Sequence, residues 1–217
     1  MLRTTRSAVL RIADELLFPV RALFMGPQGY LGLTSLRNER MWQVARFARG
    51  RVLDIGCGPG NLFISTFIGK DSGVGIDVFP YEGVDTVVDD ALHLPFPDEI
   101  FDTITLLAVG HHIPRHVRDA EFAEFARVLK PGGRLIMTEG EPMTQWLSHR
   151  WNPFFLGLIG KVDINRQRGG LKEGEEHFMP RRTILRLLNT PPLRYSFMKY
   201  FQWGLNRVYV AEKLSAS

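Results

Sequence analysis

Residues 52–61 read Val52-Leu53-Asp54-Ile55-Gly56-Cys57-Gly58-Pro59-Gly60-Asn61. An apolar run passes into a turn with three glycines, and a helix start follows. Glycine at such a turn lets backbone approach a ligand closely, at the carboxyl edge of the first strand of a parallel sheet. The spacing is G-x-G-x-G, and Asn61 stands where a nicotinamide-binding G-x-G-x-x-G fingerprint has its third glycine. Asp54 lies two residues before the first glycine. A carboxylate beside a pyrophosphate is unfavourable by about 1 kcal/mol at ~4 Å in water, and by more in lower dielectric. Beside an ammonium or sulfonium group the sign reverses. The turn therefore favours a cationic ligand without phosphate.

Outward from this stretch, short apolar runs alternate with helical ones. Residues 51–55, 74–77, 86–88, 101–107 and 134–138 read as buried strands. Between the last two, 115–130 reads as a helix with Val117, Ala120, Ala123, Ala126 and Leu129 along one face, stopped by Pro131-Gly132-Gly133. Such alternation argues for a parallel sheet covered on both faces. Past residue 180 the pattern changes. Residues 180–189 read as a short helix with proline at its start, and Tyr195–Trp203 and Leu205–Lys213 flank Gly204 as an antiparallel hairpin. The expected fold is α/β: a doubly wound, seven-stranded, mostly parallel sheet with an antiparallel C-terminal hairpin.

Residues 1–49 read as a helical cap. Val9, Ile12, Ala13, Leu16 and Leu17 recur at helical spacing within 3–18, Pro19 should end that helix, 25–34 is loop-like, and 36–48 is a second helix. Residues 50–217 form the ligand-binding domain, with an insert at about 140–179 between the fifth and sixth strands.

S-adenosylmethionine carries an ammonium and a sulfonium and no phosphate. The stretch VLDIGCGPGN resembles the first motif of the class I S-adenosylmethionine-dependent methyltransferases. Gly75 to Asp77 (GID), Asp90 to Asp102 (DALHLPFPDEIFD) and Leu129 to Met137 (LKPGGRLIM) resemble later motifs of that family, in order and spacing. The resemblance covers about residues 50–140 and is closest to the small-molecule branch, the type 11 methyltransferase domain. It implies S-adenosylmethionine as cofactor and a set of roles. Asp54 orients the loop and favours the cationic methionine end, Gly56 and Gly58 give access to it, and Cys57 belongs to the cofactor loop. Asp77 accepts from the ribose diol, and Val78 packs on the adenine. Asp90 accepts from the adenine amino group beside the Ala91 backbone. Leu106 and Leu107 offer carbonyls to the ammonium. One departure from the pattern is plain: eight residues separate Asp77 from Thr86 and include Pro80 and Gly83. A parallel crossover usually needs a dozen or more, so the helix between strands two and three must be very short or absent.

An oxygen acceptor would need a base. His111 and His112 follow the fourth strand, where ligand-facing loops of parallel sheets lie. They are candidate bases, with His111 nearer the strand end. The alternative is that the pair packs and caps the next helix. The place of the Asn/Asp-Pro-Pro-aromatic turn common among base-modifying enzymes reads Leu107-Ala108-Val109-Gly110. That disfavours nucleic acid as the acceptor. The insert holds Trp146, Trp151, Phe154 and Phe155, which suits an apolar or amphipathic small molecule. An RNA methyltransferase and a non-catalytic cofactor-binding partner protein remain the alternative readings.

The chain has 217 residues, 45% hydrophobic and 23% charged, with one cysteine. That is ordinary globular composition with no internal disulfide, and no Cys/His spacing reads as a metal site. No run approaches the ~20 apolar residues of a membrane span. Asp14 and Glu15 interrupt any signal-like apolar stretch, so a soluble cytoplasmic protein is expected. Charge is uneven. Residues 1–51 hold nine Lys/Arg against three Asp/Glu, 52–130 hold five against thirteen, and 131–217 hold thirteen against seven. An acidic centre suits a cationic ligand, and the basic ends suit an anionic partner or are simply solvated.

Overall fold

The computed structural model describes residues 8–17, 35–141, 176 and 178–215. Seven strands make one sheet: β1 (Val52–Ile55), β2 (Gly73–Asp77), β3 (Thr86–Val87), β4 (Phe101–Leu107), β5 (Leu129–Gly140), β6 (Leu193–Phe201) and β7 (Asn206–Lys213). Their spatial order is β3-β2-β1-β4-β5-β7-β6. The β1–β2, β1–β4, β2–β3 and β4–β5 pairs are parallel, and β7 runs antiparallel to both β5 and β6. The order reverses at β1, so the carboxyl ends of β1 and β4 open the crevice in which doubly wound sheets hold ligands.

The helices are α1 (Ala8–Leu16), α2 (Leu36–Ala45), α3 (Arg118–Val128) and α4 (Arg181–Leu188). One face of the sheet, with Leu53, Ile104, Leu135 and Tyr209, packs on Phe122 and Phe125 of α3 and Ile184, Leu187 and Leu188 of α4. The other face, with Val52, Ile136, Val208 and Val210, packs on Met41, Val44 and Ala45 of α2 and on Phe63 and Ile64. This alternation along each strand is the period-two pattern of a sheet buried on both faces.

The fold expected from the sequence is present, with local corrections. The helix expected from Arg115 begins at Arg118 and ends at Val128, and Pro131-Gly132-Gly133 lies inside β5 instead of after a helix. Leu129 is already extended and pairs with Phe101, and the register shifts before Arg134 meets Thr103. Gly132 accommodates that irregularity at φ 73. The buried face of α3 is Arg118, Glu121, Phe122, Phe125, Ala126 and Val128. Ala120 and Ala123 face solvent, because the two phenylalanines bury far more apolar area and set the helix rotation. The second helix stops at Ala45 instead of Ala48. The helix after the glycine turn is a short 3-10 turn at Pro59–Asn61 followed by a π-turn at Ile64–Ile68. No helix lies between β2 and β3; Asp85 and Val88 instead return hydrogen bonds to Gly75 and Asp77. Pro19, residues 25–34 and most of the 140–179 insert fall outside the described residues.

Candidate active site

The glycine turn is fixed from below by β2. The Gly56 and Cys57 amides donate to the Ile76 carbonyl at 2.9 and 3.0 Å, and the Gly58 amide donates to Asp77 Oδ2 at 2.9 Å. Gly56 and Gly58 both hold φ near 66°, the left-handed region. Their surroundings differ. A Cβ on Gly56 would stand 2.6 Å from Val109 Cγ2, whereas one on Gly58 would meet nothing within 4 Å. Gly56 is a packing glycine, and Gly58 faces open space. Asn61 fills the room made by Gly75, where a Cβ would lie 2.3 Å from Asn61 Oδ1, and Asn61 Nδ2 donates to Asp85 Oδ2 at 2.7 Å. The close approach that a third glycine on the helix would permit is here supplied by a glycine on the strand.

Asp77 ends β2 with both carboxylate oxygens engaged: Oδ1 accepts the Phe79 amide at 3.0 Å and Oδ2 the Gly58 amide. Each oxygen keeps a further lone pair, so a diol can still be received. Asp54 does not line the cavity. It is buried under the turn, where Thr105 Oγ1 donates to its Oδ1 at 2.5 Å. Burial pushes its carboxyl up to about 7; the Thr105 hydrogen bond opposes this and the charge of Asp77 adds to it. Burial and the neighbouring Asp54, Asp77 and Asp85 push the Cys57 thiol up to about 12. Such a thiol is not a nucleophile at neutral pH.

A cavity of about 440 Å³ opens at the carboxyl ends of β1, β2 and β4. Of the residues expected to bind cofactor, Gly56, Asp77, Val78, Asp90, Ala91 and Leu107 line it. Leu106 is fully buried in the core, and Asp54, Cys57 and Gly58 are not among the lining residues. Asp90 Oδ1 accepts the Leu92 amide at 2.9 Å and shapes that turn. Glu121 of α3 also lines the cavity and was not singled out from the sequence. Burial and the Asp90 charge push its carboxyl up to about 7, against a hydrogen bond from the Ala91 amide. The lining includes the carboxyl groups of Asp77, Asp89, Asp90 and Glu121 and neither lysine nor arginine. That composition opposes a pyrophosphate and accepts a cation.

The two histidines occupy one 3-10 turn, Gly110–His112, after Ala108, which lines the cavity at φ 60. A non-glycine residue held there stores strain of the kind that collects at functional sites. Their environments differ. His112 lines the cavity. His111 is buried, its Nδ1 lies 3.0 Å from Glu139 Oε2, and its amide donates to Glu139 Oε1 at 3.1 Å. The rings stand 4.2 Å apart, centroid to centroid. Glu139 lies within β5, where the sequence reading began the insert, and is fully buried. A buried acid at a strand's carboxyl end next to a predicted insert was the available signal. Beyond the undescribed segment, the Glu176 amide donates to the His111 carbonyl at 3.0 Å, and the Glu176 carboxylate pairs with Arg115 and Arg118. Among the described residues no group of His, Cys, Asp and Glu is placed to hold a metal ion.

Residues 53–137 match the family described as Methyltransferase domain. Over these residues the chain is similar to the class I S-adenosylmethionine-dependent methyltransferases. That similarity implies S-adenosylmethionine as cofactor, and the Asp77 carboxylate and the cation-accepting cavity fit that molecule. The chain is 30% identical over 154 residues to the 2-methyl-6-phytyl-1,4-hydroquinone methyltransferase of Synechocystis, covering 57% of this chain and 47% of that protein. It is 34% identical over 145 residues to a ubiquinone/menaquinone biosynthesis C-methyltransferase of Pseudomonas fluorescens, covering 65% and 45%. The chain thus spans about half the length of these relatives. The demethylmenaquinone methyltransferase of Lysinibacillus sphaericus aligns at 23% identity over 82% of this chain and 84% of that one. In fold it resembles the N-methyltransferase NodS of Bradyrhizobium japonicum, solved with S-adenosyl-L-homocysteine (TM-score 0.55, 16% identity, 92% and 98% covered).

Proposed function

We propose that this chain transfers a methyl group from S-adenosylmethionine to a small, apolar or amphipathic acceptor, of the hydroquinone or electron-rich phenol class. When bound, the cofactor supplies an activated methyl on a sulfonium. The chain's residues do the rest. Asp77 receives the ribose hydroxyls through the lone pairs left after its two backbone bonds. Val78 and Ala91 wall the adenine, and Asp90 and Glu121 face its amino edge. Asp54, ionised in the field of a neighbouring cation, orients the turn and favours the methionine end. The Leu107 backbone borders the same end.

For the acceptor, the observation that carries the reading is the His111–Glu139 pair beside cavity-lining His112. Glu139 holds the His111 ring through Nδ1, which leaves Nε2 as the proton-accepting nitrogen of the neutral ring. A neutral histidine of this turn takes the phenolic proton, the phenolate oxygen or a ring carbon takes the methyl as S-adenosylhomocysteine departs, and a methylated ring carbon then releases its own hydrogen as a proton. The relatives named for hydroquinone and menaquinone substrates support the class. The basic ends keep RNA as the competing acceptor, and the missing Asn/Asp-Pro-Pro-aromatic turn weighs against it.

The test is methyl incorporation from labelled cofactor into a panel of hydroquinones and phenols with and without apolar tails, with total RNA as a parallel arm. Label in the organic-extractable phenols supports the reading. Label in RNA alone, or in nothing while S-adenosylhomocysteine still binds, overturns it.

A further inference from the structure

Helix α1 is turned inside out. Asp14 is buried, whereas Val9, Ile12 and Leu16 are 74%, 60% and 70% exposed. At 100° per residue these three fall within about 60° of arc, and Asp14 projects from the opposite side. An ordinary surface helix does the reverse, because exposing three large aliphatic side chains opposes folding in water. The helix is nevertheless held on the domain: Trp203 Nε1, from the β6–β7 turn, donates to the Glu15 carbonyl at 2.6 Å. The Trp203 ring is itself 58% exposed, and Leu17, the residue after α1, is also exposed. Three aliphatic side chains on one helix face and an indole bonded to that helix therefore stand exposed together at this end of the domain.

We propose that this apolar face docks on an anionic lipid bilayer, with α1 lying in the plane of the interface. Charge complementarity selects this occupant. The first 51 residues carry nine Lys/Arg against three Asp/Glu, and two of those three acids, Asp14 and Glu39, are buried. An apolar helix face set in a cationic segment, closed by an amphipathic aromatic ring, is the pattern of an interfacial helix. Among the described residues no helix is long and apolar enough to cross a membrane, so the contact is peripheral. It brings the domain to the phase in which an apolar or amphipathic acceptor dissolves. The inference goes beyond the proposed reaction and does not depend on it.

The test uses the full chain, without cofactor or acceptor, and vesicles of phosphatidylcholine with or without phosphatidylglycerol. Co-sedimentation is expected with the anionic vesicles, weakening as salt rises and the Debye length shrinks from ~10 Å at 0.1 M to ~3 Å at 1 M. Ile12→Glu/Leu16→Glu should lower the partition coefficient by at least roughly tenfold, given what burial of each aliphatic side chain contributes. Because both side chains point to water, the melting temperature should be unchanged. Light scattering without lipid covers the rival occupant, a second copy of the chain. No sedimentation with anionic vesicles, sedimentation unaffected by the double substitution, or a lipid-free dimer abolished by that substitution would each overturn the proposal.

Discussion

The two glycines of the first turn should fail in different ways when each is replaced by alanine. Both hold φ near 66°, which costs an L-residue roughly 1–2 kcal/mol. At Gly58 nothing further is added, since its new methyl meets no atom within 4 Å. For a chain of this size that corresponds to a fall in melting temperature of roughly 2–8 °C. At Gly56 the methyl would stand 2.6 and 2.9 Å from the two Val109 methyls. Overpacking of that kind costs about 1–3 kcal/mol more, so Gly56→Ala should be the less stable variant, and Gly56→Ala/Val109→Ala should regain part of the loss.

Ligand response should run the other way. S-adenosylhomocysteine at ~100 times its dissociation constant adds about 2.7 kcal/mol to the wild type, a rise of roughly 5–10 °C. If the bound cofactor extends from the cavity over the turn, the Gly58→Ala methyl occupies its space, and the rise should shrink to below about 2 °C in a protein that is still folded. Differential scanning fluorimetry with circular dichroism as a fold control measures both effects. A Gly58→Ala variant that keeps the full ligand shift would show that the cofactor does not use that space. A Gly58→Ala variant as unstable as Gly56→Ala would show that the turn is packed where the geometry has it open.

Asp77→Asn should lose most of the S-adenosylhomocysteine shift, NADH should give none with wild type, and Asp77→Ala should also lose stability because two backbone amides lose their acceptor. Single-turnover methylation should fall about 10²–10⁴-fold in His111→Asn and in Glu139→Gln with cofactor affinity nearly unchanged. If instead His112→Asn carries the whole loss and the other two turn over within about threefold of wild type, the cavity-facing ring is the base. Glu121 has its carboxyl pushed up to about 7, so its contribution to stability is full at low pH and is lost as pH rises through about 7. The fall in melting temperature between pH 5 and pH 8 should therefore be smaller in Glu121→Gln, while an equal fall would mean that Glu121 titrates normally.

The fold was legible because each strand repeats its signal in the chain: apolar runs bounded by glycine, proline and acid, with helices between. The short β2–β3 connection was legible from counting alone. Helix rotation in α3 was not, since a row of alanines at helical spacing competes with two phenylalanines and the larger area wins. Nor was the strand course of Pro131-Gly132-Gly133, because a bulge and a helix stop share the same residues. In the site, Asp77 announces itself by standing at the end of β2, and Asp90 by the Asp-Ala pair that follows β3. Glu121 does not, because one acid among the charged residues of α3 reads as a surface charge until tertiary structure buries it. Of the histidine pair, the sequence places both side by side, and the 3-10 turn separates them, one toward Glu139 and one toward the cavity.

The last consequence concerns salt. The protein is cationic overall, at +4, yet its cavity is to take a cation. At physiological ionic strength the Debye length is ≈ 8 Å, so distant arginines are screened and the field inside the cavity is set by Asp77, Asp89, Asp90 and Glu121, which line it. Charges in contact across a partly dry wall are screened far less than exposed ones. A peripheral lipid contact instead gathers many solvated basic side chains against a diffuse layer of anionic headgroups, and each contributes a salt-sensitive increment. The two interactions of one chain should therefore separate on a salt axis. Raising NaCl from about 0.1 M to about 0.5 M should change S-adenosylmethionine affinity by less than about threefold, while partition onto anionic vesicles falls by more than about tenfold. Isothermal titration of the cofactor and vesicle sedimentation, run in the same buffers, measure both. Cofactor affinity that collapses in parallel with vesicle binding would mean that the cofactor is held by the protein's outer field and not by these four carboxyl groups, and the reading of the cavity would fail with it.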